Sequence, residues 1–552
     1  MDRTDTLKKT GKYTKLFVHP YSLAGIVPIC FFTVFYFYPL AGIFIKSFFP
    51  EGNIDLGFLD QILISTRMLK VLWFTFWQAG VSTLLTLACA LPCAFVLSHF
   101  SFKGKRVIKT LASIPFVLPA IVVAAAFQAC FKEGSHPLLL IFLAHVFYNF
   151  SVMLRIITGF LSSIQGRIKE AATMLGANSF KVFLYITLPL LKPALFAAST
   201  LVFIFCFSSF GIILILGGPS YSTIEAEIYR QAAHLFNLPL ASFLSLIQIL
   251  FTFILMWVYT LFTKKAAKFY PEAEKANLKK AELWWEKVII AGVIIFIISL
   301  CVIPLSALVM KSLTHDGEMS FIFYRAIFEN RSDSIFYIPP FNAIKYSFLF
   351  AGTALVIALI TGLCAALFIR YFDDNIKGNL TSFFDPIFML PLSTSAVTLG
   401  FGIIITLDKP PLNLRTSVFL IPIAHALVGF PFVLRSILPA LRSIPKDLSE
   451  AASILGASPL KIFKTIDLPL ISKSLVAGSI FAFTISLGEF GATIFTARPE
   501  TPTIPVAIYR FLGQPGAMNY GQAMAIATIL MIVTAIGFVV IENLREENSE
   551  GF

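Results

Sequence analysis

Ionisable side chains are rare within the long apolar stretches of this chain, and those present could relay protons or bind a cation. His145 and His425 occupy equivalent places in two such stretches, and Glu489 lies in a third with Ser209 as its counterpart. An ionisable residue inside a membrane segment is a functional candidate by default. We therefore take these four residues as candidates for the lining of a translocation pathway. The alternatives are that the histidines form hydrogen bonds within a helix bundle and that Glu489 caps or braces a helix.

Other reactive residues lack the spacing that catalysis or metal binding requires. The seven cysteines all fall in apolar segments without metal-ligand grouping, and the seven histidines are scattered. The Walker A pattern G-x-x-x-x-G-K-[ST] does not occur, so the chain is not expected to hydrolyse ATP. We expect no catalytic residues, no metal site and no cofactor in this chain.

The most informative pattern is a stretch that occurs twice. EAATMLGANSFKVFLYITLP spans 170–189, and EAASILGASPLKIFKTIDLP follows 280 positions later at 450–469. The same offset relates His145 to His425, Phe210-Gly211 to Phe490-Gly491, and Ile228-Tyr229-Arg230 to Ile508-Tyr509-Arg510. A repeat of this period indicates two whole domains rather than a solenoid.

Composition places both repeats in a bilayer. The chain is 57% hydrophobic and 13% charged, with 59 Phe and a mean hydropathy of +0.83, whereas soluble domains carry about 25% charged residues. Apolar stretches long enough to cross the hydrocarbon core predict twelve helices near 23–46, 71–98, 108–131, 137–160, 190–216, 240–263, 288–311, 342–370, 381–407, 416–440, 472–497 and 519–541. Pro115, Pro119 and Pro391 interrupt two of them. We expect an all-α integral membrane protein of two six-helix repeats.

Six spans per repeat give both repeats the same orientation, as in parallel repeats. Lys and Arg accumulate on the cytoplasmic side of membrane proteins, and most of them fall on one side if the N-terminus is inside. The net charge of +13 therefore reflects topology, and nucleic-acid binding is not expected. We predict a multi-pass protein of the cell membrane with both termini cytoplasmic. Its segments are an arm (1–22), a first domain (23–263), a charged linker (264–287), a second domain (288–541) and an acidic, disordered tail (542–552).

The repeated stretch predicts two short helices joined at a glycine on the cytoplasmic face. Glu170 with Ala171 and Ala172 favours a helix near 168–175, Gly176 ends it, 179–186 continues, and Pro189 marks the turn into the next span. Glu450, Ala451, Ala452, Gly456 and Pro469 repeat the pattern. Such helices could lie in the lipid interface, but the strict pattern in two otherwise diverged loops favours a protein partner.

Both stretches match Glu-Ala-Ala-x3-Gly-x9-Ile-x-Leu-Pro at every position, the pattern of the coupling loop in permease subunits of ABC importers. The chain is identified by this resemblance as a type I importer permease in the fused, double-length form of the thiamine and ferric-iron branch. The resemblance implies that each loop docks on one of two ATPase subunits, which would use ATP and Mg. It also implies an extracytoplasmic solute-binding protein as a partner.

The solute is predicted less directly. The first repeat resembles thiamine permeases in Phe76-Trp77-Gln78-Ala79, in 143–149 and in 216–219 with Thr223-Ile224-Glu225. The second repeat also resembles molybdate and tungstate permeases in 486–493, SLGEFGAT. Thiamine is therefore the first expectation, ferric iron the second, and an oxyanion or another small solute a further alternative.

The segments 217–237 and 498–519 share Thr-Ile-x3-Ile-Tyr-Arg and are expected to form short helices at the outer face. Tyr229, Arg230, Tyr509 and Arg510 are candidates for an external gate or for contact with the binding protein. The alternative is a cap that only closes the bundle.

Two other classes of protein remain as alternatives. An ion-coupled secondary transporter would suit twelve spans, but it would need intramembrane acids, and Glu489 is nearly alone. A membrane enzyme or scaffold would need a nucleophile, base or metal cluster at one membrane depth, and none recurs.

Overall fold

The computed structural model describes residues 19–49, 65–131, 134–163, 172, 174–267, 278–329, 339–375, 380–408 and 412–550. These residues are mostly helical, and the strands are two-residue pairs. β1 (Phe100–Ser101) pairs with β2 (Lys279–Lys280) in parallel, and β3 (Thr314–His315) pairs with β4 (Glu318–Met319) in antiparallel. The predicted all-α class is confirmed.

The helices of the first repeat include two π turns, Phe183–Thr187 and Arg230–His234, and a further π turn, Thr33–Phe37, lies within the first helix. Their bounds are α1 Pro20–Phe48, α2 Thr66–His99, α3 Lys105–Val117, α4 Ala120–Cys130, α5 Pro137–Ser163, α6 Ser179–Val182, α7 Leu188–Phe207, α8 Gly211–Leu216, α9 Ile224–Tyr229 and α10 Leu238–Ala267.

The second repeat follows a similar order, with a 3-10 turn at Ala326–Phe328 and a π turn at Phe463–Asp467. Its helices are α11 Trp284–Leu313, α12 Ile322–Arg325, α13 Pro340–Asn375, α14 Leu380–Phe388, α15 Leu390–Ser393, α16 Ala396–Thr406, α17 Leu420–Arg442, α18 Lys446–Ile454, α19 Pro459–Ile462, α20 Leu468–Gly488, α21 Thr493–Thr496, α22 Ile504–Leu512 and α23 Ala517–Glu550.

Ten helices of the described residues are long and apolar enough to cross a membrane, and α3 with α4 would make an eleventh. The chain bends by 104° between these two helices, because Leu118 is extended and Pro119 follows it. The bend lies at the proline where the sequence predicted an interruption. The segment predicted as a span at 381–407 is divided into α14, α15 and α16. The break between α15 and α16 lies at Thr394, whose backbone is extended, and at Ser395, which has a φ of -59° and a ψ of 138°. The twelfth predicted span is thus present as short helices.

Contacts group the chain into two units that do not follow the two repeats in sequence. One unit draws on 1–46, 332–506 and 536–552, and the other on 47–331 and 507–535. The first helix of each repeat therefore packs with the body of the other repeat. The domain limits predicted from the sequence, 23–263 and 288–541, stay a prediction about the linear chain.

Aromatic packing holds α1 in the first of these units. Phe32 and Tyr36 are almost fully buried, and the ring of Phe32 lies 4.8 Å from that of Phe430 and 5.4 Å from that of Phe388. The hydroxyl of Tyr36 lies 2.6 Å from the Thr394 hydroxyl. Edge-to-face aromatic pairs of this kind stabilise by about 0.5–1.5 kcal/mol beyond their burial. α1 is consequently part of the core formed by α14 and α17.

The helix α11 packs in the second unit. Ile297 and Cys301 are fully buried, and the ring of Phe296 lies 6.0 Å from that of Phe150. Five more residues of α11 are buried: Glu286, Ile290, Pro304, Leu308 and Ser312. Other apolar side chains of this helix, such as Ile295 and Ile303, are exposed, as expected on a helix that faces lipid.

The structure differs from the sequence-based expectation for the C-terminal tail. The tail predicted as disordered from 542 continues α23 to Glu550, because this stretch contains neither Pro nor Gly before Gly551 to stop the helix. The predicted linker 264–287 begins inside α10 and ends inside α11, and β2 lies between them.

Candidate functional site

The second Glu-Ala-Ala loop, 450–469, contains a helix that a left-handed glycine closes. Gly456 has a φ of 81°. Its amide donates to the carbonyl of Ser453 at 3.0 Å, and the amide of Ala457 donates to the carbonyl of Ala452 at 3.0 Å. These two bonds form a Schellman cap, which satisfies the last carbonyls of α18 and requires a residue that tolerates positive φ. The prediction that Gly456 ends the helix is confirmed.

The first Glu-Ala-Ala loop, 170–189, has the left-handed glycine and one of the two bonds of this cap among its described residues. Gly176 has a φ of 84°, and the amide of Ala177 donates to the carbonyl of Ala172 at 3.0 Å. Glu170 and Ala171 lie outside the described residues. Since nothing lies within 4 Å of a β-carbon built on Gly176 or Gly456, the backbone conformation, rather than space, selects glycine at both positions.

Apolar side chains project from both loops. Met174 and Leu175 are 92% and 89% exposed, and their counterparts Ile454 and Leu455 are 84% and 87% exposed. No residue of α18 is buried, and Glu450 is exposed. Exposed apolar pairs at equivalent points of two protrusions are typical of a surface that a partner covers.

The turn predicted at Pro189 is wrong, because the helix continues through it. A π turn, Phe183–Thr187, joins α6 to α7, and the amide of Leu188 donates to the carbonyl of Phe183. Pro469 follows the equivalent π turn between α19 and α20. Proline has no amide hydrogen, and the wider turn accommodates it without ending the helix.

His145 lies at the centre of a buried polar cluster. Its Nδ1 is 2.9 Å from the Ser82 hydroxyl and its Nε2 is 2.8 Å from the Ser209 hydroxyl. Ser82 and Ser209 belong to α2 and to the break between α7 and α8, so the imidazole joins three segments. His145 and Ser209, two of the sequence candidates, are thus in direct contact.

The second repeat forms a matching cluster. Nδ1 of His425 is 2.7 Å from the Ser486 hydroxyl, and Nε2 is 2.7 Å from the Thr493 hydroxyl. A carboxylate oxygen of Glu489 lies 3.3 Å from Nε2. The Glu489 carboxylate also accepts from the amides of Ala492 and Thr493, at 2.8 and 3.0 Å, and from the Thr493 hydroxyl.

Glu489 therefore caps the start of α21, one of the two roles that its sequence position suggested. A carboxylate that accepts backbone amides at a helix start is satisfied without a bound cation. All four intramembrane candidates are at most 7% exposed. A role for them in the translocation pathway stays a prediction.

The segments predicted at the outer face do form short helices, α9 and α22. Arg230 pairs with Glu227 at 2.8 Å, and Arg67 approaches the same carboxylate at 3.3 Å. Burial by itself raises the pKa of Glu227, but hydrogen bonds from Arg230 and Gln231 and the charges of Arg230 and Arg67 outweigh it, so the pKa lies below its ordinary value.

Tyr229 and Tyr509 are neighbours, with ring centroids 6.5 Å apart. Tyr229 also packs edge-on against Phe210 at 5.7 Å. These contacts bring two of the four candidate gate residues together. Their function as a gate stays a prediction.

Sequence reasoning missed a buried ion pair at the end of the second Glu-Ala-Ala loop. Arg370 of α13 lies 2.9 Å from Asp467, and the Tyr21 hydroxyl donates to the same carboxylate at 3.1 Å. Asp467 fills the variable position of Ile-x-Leu-Pro, where the first repeat has Thr187. This acid inside an otherwise apolar motif was the one available signal.

Metal binding has no structural support among the described residues, where no group of three or more His, Cys, Asp or Glu could hold an ion. The seven cysteines are free thiols.

Comparison with known proteins matches the chain twice to one family. Residues 87–268 and 362–545 match the family described as binding-protein-dependent transport system inner membrane component. Each match contains one Glu-Ala-Ala loop and one of the two buried histidines, His145 or His425.

Full-length relatives have the same double layout. The thiamine transport system permease protein ThiP of Haemophilus influenzae is 24% identical over 96% of this chain and 98% of its own length. ThiP of Escherichia coli is 23% identical over 87% of this chain and 89% of its own. A putative 2-aminoethylphosphonate transport system permease protein of Salmonella paratyphi A is 25% identical, and covers 44% of this chain and 89% of itself.

Proposed function

The chain belongs to the family of binding-protein-dependent transport system inner membrane components, and we propose that it is the permease through which an ABC importer carries thiamine. It is a multi-pass membrane protein of a transport system and not itself an ATPase family member. The identity of the solute, the number of partner subunits and the orientation of the termini are parts of this proposal.

Thiamine is favoured because relatives that match nearly the whole chain, in both repeats, are thiamine permeases by name. The phosphonate permease matches less than half of this chain. Ferric iron is the second candidate, because the fused, double-length layout is shared with ferric-iron permeases by resemblance.

Two ATPase subunits would bind, one at each Glu-Ala-Ala loop. The supporting observation is a glycine of positive φ at both 176 and 456, with an exposed apolar pair just before each glycine. Grooves on the ATPases would bury these side chains, and ATP and Mg would act only in those subunits. Both loops, and hence both termini, would then face the cytoplasm.

On the opposite face, a solute-binding protein would deliver thiamine near α9 and α22. ATPase closure would pull both loops and switch the permease between inward-open and outward-open forms. The clusters of His145 and His425 join the broken helices of each repeat, so they are placed to hold those breaks while the bundle moves.

The test is uptake of labelled thiamine or ferric iron into vesicles that contain the chain, its co-purified ATPase and a candidate binding protein, with and without ATP. We expect ATP-dependent uptake of thiamine. Vesicles with a hydrolysis-deficient ATPase are the control. Uptake of iron instead would overturn the solute, and uptake driven by an ion gradient without ATPase would overturn the importer itself.

A further inference from the structure

We propose that two ion pairs clamp the second Glu-Ala-Ala loop to α13, and that this clamp makes the second loop the stiffer of the two routes from ATPase to membrane. The clamp consists of Arg370–Asp467 and Asp373–Arg442. The inference rests on the proposed function, because it concerns how the loop transmits an ATPase movement.

The pair after the loop is buried. Nη1 of Arg370 donates to Oδ1 of Asp467 at 2.9 Å, and the two side chains are 10% and 2% exposed. The Tyr21 hydroxyl donates to Oδ2 of Asp467 at 3.1 Å and lies 3.2 Å from the carbonyl of Pro459. Tyr21 thereby links α1 to both ends of the segment from α19 through the π turn.

The pair before the loop lies nearer the surface. Nε and Nη2 of Arg442, the last residue of α17, both lie 2.9 Å from Oδ2 of Asp373. Nη1 of Arg442 is 3.5 Å from Asp385 of α14. Geometry with two nitrogens on one oxygen restrains the guanidinium more than a single contact does.

Both pairs end on one turn of one helix. Arg370 and Asp373 are three residues apart in α13 and therefore lie on neighbouring positions of its surface. The chain leaves this turn at Arg442, forms α18, and returns to it at Asp467. Because α18 has no buried residue of its own, its position depends on these flanking attachments.

The first repeat provides an internal comparison. Ala79-Gly80 of α2 corresponds to Ala351-Gly352 of α13. The structure supports this register, because the Thr75 hydroxyl accepts from the amide of Ile224 at 3.0 Å, just as the Ser347 hydroxyl accepts from the amide of Ile504 at 2.7 Å.

In this register, and at the offset of 280 for the later segments, all four clamp positions carry hydroxyl residues in the first repeat. They are Ser98, Ser101, Ser162 and Thr187. The Ser98 and Ser162 hydroxyls donate to carbonyls of their own helices, those of Phe95 at 3.0 Å and Thr158 at 2.8 Å. The first repeat thus forms a similar fold without the four charges. This indicates that the charges of the second repeat have a role besides stabilising the fold.

A clamped loop transmits force because separating a buried, hydrogen-bonded ion pair exposes charges to an apolar surrounding. Movement of α18 would be passed to α13 through both pairs and to α1 through Tyr21. Arg370, Asp373, Arg442 and Asp467 are therefore positioning residues for coupling.

The experiment places the first-repeat residues in the clamp: Arg370→Ser, Asp373→Ser, Arg442→Ser and Asp467→Thr together. The control is Asp408→Ser with Arg415→Ser, which removes another ion pair of 2.9 Å in the same unit. Both variants are reconstituted with ATPase and binding protein, and ATP hydrolysed per labelled thiamine imported is measured. We expect a rise of about fivefold or more in the clamp variant, a typical lower bound for coupling between two sites, and no rise in the control.

Two further measurements separate coupling from simple instability. Arg370→Asp with Asp467→Arg should couple better than Asp467→Arg alone, because the swap restores opposite charges. Hydrogen exchange should accelerate in 446–467 of the clamp variant and not in 174–187. Should the four-residue variant fail to assemble, Asp373→Ser with Arg442→Ser repeats the test at the exposed pair.

An unchanged ATP-to-thiamine ratio in a clamp variant whose wild type couples normally would overturn this inference alone. A wild type without ATP-driven thiamine uptake would instead overturn the proposed function.

Discussion

Replacing Gly456 by alanine should impair coupling through the backbone alone. At a φ of 81° an L-residue is strained, whereas glycine is not. Because no atom lies within 4 Å of the new β-carbon, alanine makes no steric contact in the isolated permease. The free-energy cost is therefore the left-handed penalty, about 1–2 kcal/mol.

A penalty of this size lowers the population of the capped loop about 5–30-fold relative to its alternatives. The loop is exposed, so the membrane helices should be unaffected and the melting temperature of the permease nearly unchanged. ATPase docking depends on the cap, so the cost should appear as weaker ATPase binding and more ATP hydrolysed per thiamine imported. Gly176→Ala should behave in the same way, since its φ is 84°.

Three variants decide whether φ is the cause. Gly456→Asn should be milder than Gly456→Ala, because asparagine tolerates the left-handed region better. Gly456→Leu should resemble alanine. Gly292→Ala is the matched control, since Gly292 is helical, has ordinary φ and also has nothing within 4 Å. If leucine is far worse than alanine, or asparagine no better, the ATPase groove rather than the backbone selects glycine, and the reasoning is refuted.

Three further predictions concern the exposed loops, the His145 cluster and Glu227. Ile454→Asp with Leu455→Asp should abolish ATPase co-purification at unchanged melting temperature, since both side chains are more than 80% exposed; retained ATPase would contradict the docking role. His145→Leu should destabilise by about 1–3 kcal/mol, the cost of leaving buried hydroxyls unsatisfied, and lower the melting temperature, with Ser113→Ala as the neutral control. Glu227 has a lowered pKa, so its stabilisation is present above the ordinary value of 4.5 and is lost as pH falls through the folded-state pKa. Glu227→Gln should therefore lower the melting temperature at neutral pH, with the difference from wild type shrinking in acid; a constant difference would contradict the ion-pair explanation.

The Glu-Ala-Ala loops show how far local sequence can carry a prediction. The helix end at Gly456 could be predicted because a cap depends on residues within one turn. The course of the chain at Pro189 could not be predicted, because a proline is compatible both with a π turn inside a helix and with a helix end.

The intramembrane polar residues show a second limit of prediction from sequence. Their pairing by duplication was visible, but their partners were not. Ser82 is 63 residues from His145, and nothing in its local sequence indicates the contact. Glu489 can cap a helix because the chain breaks just before α21, and this break was not predicted.

The membrane setting, the duplication and the two protruding loops could be predicted from the sequence, because hydropathy, residue spacing and glycine conformation act over short stretches of chain. Tertiary structure alone decided that α1 packs with the second repeat, that 381–407 breaks into short helices, and that Arg370 meets Asp467. These features depend on contacts between residues far apart in the chain. The residues near each position in the sequence would look the same whichever distant residue it contacts.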